Sequence, residues 1–478
     1  MSSSPAGAAP GPTRVHAFGD DALGEHDAVG LVEELRARRV SRAELVRAAV
    51  ARTRRLDEAV AGLAAERFDA AEAEAVEEHP GFFAGVPSYV KDNSDVQGLP
   101  TQHGTRAFEA RPAAADGDVA RVFGLLGLGV LGKTRLSEYG LSASAEPVGE
   151  PPVRSPWHTG HTAGASSSGS AAFVAGGAVP LAHANDGGGS IRIPAAVNGL
   201  VGLKPTRGRV PSDRMNRDMP VRIVADGVLS RSVRDTAAFL REAERAYHDP
   251  GLPPVGDVTR PGRKRLRVAL VTESVGGGPV APEVVAATED VGRLLESLGH
   301  HVERASVPAP ASLAEDFLDY WAFLALAIST GGRRTWGRGY DRSRNDVLTR
   351  GLAARGRSRL WRVPPAVVRL QRSHRHTARL FARHDLLLCP TVAGTTPELG
   401  WLSPSQPYDT VLERLLEWVA FTPVQNVTGD PAVSLPLATS AAGLPIGVQL
   451  SAPRGRDRRL LEVAYELEAA RPFGRIQD

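Results

Sequence analysis

The chain has 478 residues, 42% hydrophobic and 23% charged, the balance of a globular protein long enough to bury a large core. Its net charge of +3 comes from scattered basic residues, which argues against a nucleic-acid partner. No uninterrupted apolar run is long enough to span a bilayer, and a single cysteine, Cys389, excludes an intrachain disulfide.

The opening stretch MSSSPAGAAPGPT is small, polar and broken by proline, so residues 1–13 are expected to be disordered. It has no basic run ahead of an apolar one and does not resemble a secretory signal, and with the lone cysteine this makes a cytoplasmic location the expectation. Two helices follow, the second opening at SRAE, where Ser41 and Glu44 have capping-box spacing. From about Val86 to Glu244 short apolar runs alternate with helical stretches, the pattern of an α/β fold, with strands expected at VPSYV, VLGK, VPLAHA and GLVGL. DPGLPPVGDVTRPG, residues 249–262, reads as a surface connection before a strand at LRVALV and a helix from Pro282 to Leu298. Residues 310–384 are helical in pattern and rich in Arg and Trp. Strand-like runs return in DLLLCPT, AVSLPL and IGVQLS before a closing helix near 457–470. One α/β core over 14–478 with a helical insertion is the simplest organisation.

The cations are unevenly written: four lysines, Lys91, Lys133, Lys204 and Lys264, against 53 arginines. Only lysine can give up its proton and act as a base, so each of the four is a candidate. Lys133 closes GLGVLGKT, residues 127–134, which satisfies the P-loop pattern. A P-loop needs a strand before its first glycine and a helix after its threonine. Here DVARVFGLLGLG has helical spacing and VLGK itself reads as the strand, so nucleotide binding is not expected and Lys133 reads as structural. The histidines His158, His161 and His183, with Cys389, fit no standard zinc spacing, so no metal is expected either.

Three other places carry chemistry together. GVPSYVKDN sets Lys91 at the end of an apolar strand, GASSSGS runs small hydroxyl residues from Gly164 to Ser170, and ANDGGGSIR holds Ser190 behind Gly187, Gly188 and Gly189. Taken singly they read as a solvent-reaching lysine, a helix-capping loop and a tight turn. In this order, with GLVGLKPTRGRV after them, they resemble the amidase signature family of Ser-Ser-Lys amide hydrolases. The 24 residues from Ser166 to Ser190 match the family's serine spacing, and the likeness runs from about residue 27 to the C-terminus. ANDGGGSIRIPA, DYWAFLA, LLLCPTVAGTTPELG and the long 310–400 segment look most like its 6-aminohexanoate-cyclic-dimer hydrolase-like branch.

The resemblance implies an α/β/α layered core around a mixed, largely parallel sheet, and amide hydrolysis without metal or organic cofactor. It makes Ser190 the nucleophile, Ser166 a bridging serine held by a cis peptide bond, and Lys91 the base. A serine hydroxyl is a poor nucleophile until a base takes its proton, and burial lowers a lysine's pKa far enough to do so. The glycines at 187, 188 and 189 would let consecutive amides converge with that of Ser190 as an oxyanion hole, with Asp186 and Arg192 bracing the loop. Against the family pattern, Ala165 stands for a glycine before the bridging serine and Ser168 for another glycine. His161 and Arg135 stand near the expected pocket in place of an arginine and an asparagine. Ser137, Glu138, Tyr139, Trp321, Trp336 and Tyr340 are the expected pocket walls, the last three from the helical segment. The expected partner is a small-molecule amide, linear or cyclic, with no nucleic acid and no membrane, and a homodimer is admitted. Ester or carbamate cleavage at the same site, or a role like that of an amidotransferase A-type subunit, are the alternatives.

Overall fold

The computed structural model describes residues 13–77, 79–306, 310 and 312–478, so all but Thr13 of the expected disordered segment lies outside the described residues. Where periodicity is strong, the elements fall where the sequence puts them. Helices span Ala28–Arg36 and Arg42–Val60, and in the second Ser41 Oγ accepts from the Glu44 amide while Glu44 accepts from the Ser41 amide. The apolar runs become strands Pro87–Lys91, Gly129–Thr134, Leu181–Asp186, Val201–Lys204, Arg267–Leu270, Leu386–Pro390, Ala432–Thr439 and Pro445–Ser451. Helices Leu313–Trp336, Val347–Ser358, Val363–Gln371 and His374–Phe381 fill the segment expected to be helical.

The architecture is a layered α/β core on an eight-stranded mixed sheet. Strand order is His301–Arg304, Arg267–Leu270, Leu386–Pro390, Pro445–Ser451, Ala432–Thr439, Val201–Lys204, Ala225–Ser230 and Leu181–Asp186. The sheet is partly rather than largely parallel: two pairings run parallel and five antiparallel. The reason lies in the connections. The helix Arg192–Asn198 returns Val201–Lys204 in the direction of Leu181–Asp186, as a crossover should, but Ala225–Ser230 slots between them in the opposite sense. The C-terminal hairpin of Ala432–Thr439 and Pro445–Ser451 adds further antiparallel edges.

A separate three-stranded sheet pairs Pro87–Lys91 parallel to Gly129–Thr134, which also takes Leu63–Glu66 antiparallel. Two wholly buried helices, Ser168–Ala175 and Arg192–Asn198, complete the interior. The second lies so close to the large sheet that a Cβ on Gly447 would stand 2.4 Å from that of Ala196. Strands Pro87–Lys91 and Leu181–Asp186 and these two helices are thus buried along their whole length.

Candidate active site

Strand alternation divides the residues of LAHAND between two environments. His183 and Asn185 face the end of strand Pro87–Lys91. There the amide of Lys91 donates to His183 Nδ1 at 3.2 Å, and Lys91 Nζ lies 2.7 Å from Asn185 Oδ1 and 2.6 Å from Ser166 Oγ. Lys91 is fully buried, and that burial pushes its ammonium down to about 7 against the opposing pull of Asp226 and Asp186. Its two partners are uncharged. With the amine neutral, the Ser166 hydroxyl can donate to Nζ.

Asp186 points the other way. Its carboxylate takes Arg192 Nε at 2.8 Å and Nη2 at 2.9 Å, a buried fork-on-fork pair, and also the amides of Gly189 at 2.8 Å and Ile191 at 3.3 Å. Burial pushes the Asp186 carboxyl up, but Arg192, Lys204 and Asn426 outweigh it and hold it at about 2. Arg192 continues to Gln425, Gln449 and Asn426 at 2.7–3.0 Å. The turn carrying Ser190 is thus pinned from beneath.

The three glycines do not carry equal demands. Gly189 has φ +137°, and a Cβ there would sit 2.4 Å from Thr422 Oγ1 and 2.5 Å from Ile193 Cδ1. On Gly188 a Cβ would meet Phe317 at 3.7 Å, an ordinary contact. The residue that must be glycine is the third, and its amide already serves Asp186. Among the described residues the amides of Gly187, Gly188 and Ser190 have no hydrogen-bond acceptor. Thr422 Oγ1 donates to the Gly188 carbonyl at 2.6 Å and turns that peptide.

The GASSSGS hydroxyls separate by partner. Ser166 Oγ meets Lys91, Ser167 Oγ donates to the Ser190 carbonyl at 2.5 Å, and Ser168 Oγ donates back to the Ala165 carbonyl at 2.6 Å. Ser190 Oγ accepts from the Ser166 amide at 3.3 Å rather than from its hydroxyl. The cis peptide expected at Ser166 is absent: every described peptide bond is trans, the form a non-proline amide prefers by about 3–4 kcal/mol.

Ser166 and Ser190 open on a cavity of about 690 Å³ whose lining also includes Asn93, Asn185, Gly187 and Gly188. Of the six wall residues expected from sequence, Tyr139 and Trp321 line it. Ser137 and Glu138 face a neighbouring cavity instead. Glu138 accepts from Thr105 Oγ1 at 2.6 Å and from the Asp346 amide at 2.8 Å, which turns it away, and burial beside Asp346 pushes it up to about 8. Trp336 and Tyr340 pack behind Tyr139 in an aromatic cluster with Phe108, Trp336 stacking on Phe108 at 4.8 Å. His161 and Arg135 also lie off the wall, His161 on His158 at 2.8 Å and Arg135 on Glu150 and the Pro151 carbonyl.

Sequence reasoning passed over Asn185, Asn93, His103 and Thr422. Asn185 had a signal: it sits two residues after His183 and so on the same strand face. His103 gave none, because its place on the wall depends on a left-handed turn at φ +53°. Lys133 is not in a P-loop: GKT ends a strand that follows helix Asp118–Leu126, and its ammonium pairs with Asp92 at 2.7 Å. No cluster of metal-ligating side chains occurs among the described residues, and no helix there is long and apolar enough to cross a membrane.

The family profile described as Amidase matches residues 38–461. A provisionally named amidase, AmiC, of Mycobacterium leprae (strain TN) is 56% identical over 465 residues, covering 97% of this chain and 99% of that one. A 6-aminohexanoate-cyclic-dimer hydrolase of Paenarthrobacter ureafaciens is 34% identical, covering 94% and 95%. Among solved structures, a 6-aminohexanoate cyclic dimer hydrolase with bound substrate superposes at TM-score 0.86 with 31% identity over 96% of this chain and 98% of that chain. A bacterial aryl acylamidase superposes at 0.83 with 26% identity, covering 94% and 96%.

Proposed function

The chain belongs to the amidase signature family and is an amidase, and on that footing we propose that it cleaves small to medium carboxamides, linear or cyclic, through an acyl-enzyme on Ser190. One observation carries this reading: a fully buried lysine with no carboxylate partner among the described residues lies 2.6 Å from Ser166 Oγ, and the Ser166 amide in turn donates to Ser190 Oγ at 3.3 Å beside the cavity that both serines line.

Neutral Lys91 takes the Ser166 proton as Ser166 takes that of Ser190, and Ser190 Oγ forms a bond to the amide carbon. The carbonyl oxygen becomes an alkoxide facing the unpaired amides of Gly187, Gly188 and Ser190. The loss of one such donor typically costs about 2.7–4 kcal/mol of barrier stabilisation. The proton returns through Ser166 to the departing nitrogen, the C–N bond breaks and the amine leaves. Water then adds to the acyl carbon by the same route and frees the carboxylic acid. Asp186 and Arg192 act through backbone position. The cavity volume and the likeness to a cyclic-dimer hydrolase support a substrate of modest size.

A fluorophosphonate reagent tests the assignment. Peptide mapping should find one label, on Ser190, and the Ser190→Ala protein should stay unlabelled and fail to release amine from a neutral anilide. A label on Ser166 in the native protein would reverse the two serine roles.

A further inference from the structure

In a chain with 57 Lys and Arg side chains, none of the described ones lines the cavity. Lys91 sits behind Ser166. The arginines beside lining residues in sequence are turned elsewhere: Arg192 to Asp186 at 2.8 Å, Arg214 to Asp218 at 3.1 Å, Arg217 to Asp118 at 2.7 Å and Arg414 to the Trp401 carbonyl at 2.7 Å, while the exposed Arg222 lines a separate cavity.

The charged groups that do line it are acidic: Asp213, Glu315, Glu413 and Glu417. Glu315 is neutralised by Arg359 at 2.9 Å and Arg362 at 2.8 Å. Glu413 and Glu417 lie one turn apart on the exposed side of helix Tyr408–Trp418 and form no ion pair with any described residue. Asp213 is half-buried, and burial pushes its carboxyl up.

The rest of the polar lining is neutral. His103 is 8% exposed, and burial, with help from Lys133, pushes its imidazole down to about 4. Its ring donates to and accepts from no described residue, so an uncharged hydrogen-bonding group remains for a ligand. The remaining wall is apolar, with Phe317, Leu318, Trp321, Leu324, Val424 and Val427.

We propose that this cavity selects uncharged or amine-bearing amides and turns away amides whose acyl chain ends in a carboxylate. A carboxylate entering it leaves water without meeting a cation, the costly case of burying an ion. It also passes Glu413 and Glu417, unpaired among the described residues, whereas an ammonium finds in them partners on the exposed side of their helix. The proposal rests on the Ser190 reading and specifies the substrate for that site.

Three alkyl fluorophosphonates of equal chain length, ending in methyl, ammonium or carboxylate, test it on the full chain. Ser190 should be labelled by the methyl and ammonium reagents at rates within about threefold, and by the carboxylate reagent about 100-fold more slowly. Leu416 lines the cavity yet is 44% exposed, so Leu416→Arg sets a cation at the rim at little cost to folding. It should raise the carboxylate-to-methyl rate ratio about tenfold. A carboxylate reagent that labels the native protein within about threefold of the methyl one overturns the proposal, as does an unchanged ratio in Leu416→Arg. If no reagent labels Ser190, the nucleophile assignment itself falls and takes this inference with it, a result distinct from equal labelling.

Discussion

Two lysines stand side by side on paired strands, with Lys91 opposite Thr134 and Val90 opposite Lys133. Both are sealed from solvent, yet their surroundings differ in one respect. Lys133 meets a carboxylate, Asp92, at 2.7 Å, together with the Pro100 carbonyl and Thr101 Oγ1. Among the described residues Lys91 Nζ meets only the neutral Ser166 Oγ and Asn185 Oδ1. Asp92 follows Lys91 directly in sequence but serves the other lysine, because successive side chains leave a strand on opposite faces. Burial pushes both ammonium groups down, and at Lys133 the contact with Asp92 pulls back. Burial alone does not suit a lysine to act as a base; burial without a contacting counter-ion does, and Lys91 has that environment.

That difference predicts opposite phenotypes. Lys91→Met and Lys91→Arg should both lower kcat/KM by roughly a thousandfold while the protein still unfolds cooperatively, since arginine keeps the charge but yields no proton. Retention of activity by Lys91→Arg would make Lys91 a structural cation like its neighbour. Lys133→Met should instead destabilise the fold by about 3–5 kcal/mol in urea unfolding, because it leaves Asp92 buried and unpaired. Adding Asp92→Asn should recover part of that loss. If Lys133→Met unfolds like the native protein, the pair contributes nothing and the two sites do not differ in the way described.

The sequence made the louder motif the less chemical one. GLGVLGKT matches a nucleotide-binding pattern, but strand and helix order decide its meaning, and helical spacing in DVARVFGLL already showed that order. Lys91, Ser166 and Ser190 were legible because each lies in a long, specific string. The demand on Gly189 rather than Gly188 was not, since it depends on Thr422 and Ile193 closing from elsewhere in the fold. The cavity wall was legible only in part. Tyr139 and Trp321 reach it, whereas Trp336 turns to Phe108 through packing that no local pattern encodes. The mix of strand directions was hidden for the same reason: a crossover helix fixes the sense of the strand it delivers, but not which strand later slips between.

A single isosteric change gives Lys91 the surroundings of Lys133. Asn185→Asp puts a carboxylate oxygen where a neutral oxygen now lies 2.7 Å from Lys91 Nζ, and so gives Lys91 the kind of partner that Asp92 gives Lys133. The hydrogen bond from Asn185 Nδ2 to Asn93 Oδ1 is lost, while Asn93 Nδ2 still has an oxygen to meet. An anion in contact favours the charged amine and should raise the Lys91 pKa from about 7 by about 1–3 units. A lysine base works neutral, so with Lys91 in the proposed role kcat/KM of the native protein should rise with pH through about 7 and level off above it. In Asn185→Asp the same rise should move to alkaline pH, with a loss of about tenfold or more at pH 7 that is recovered once pH exceeds the new midpoint. Mere damage to the site would lower the plateau and leave the midpoint in place. A pH profile of kcat/KM on one neutral anilide separates the two, and a midpoint that stays near 7 would show that Lys91 is not the group whose proton sets the rate.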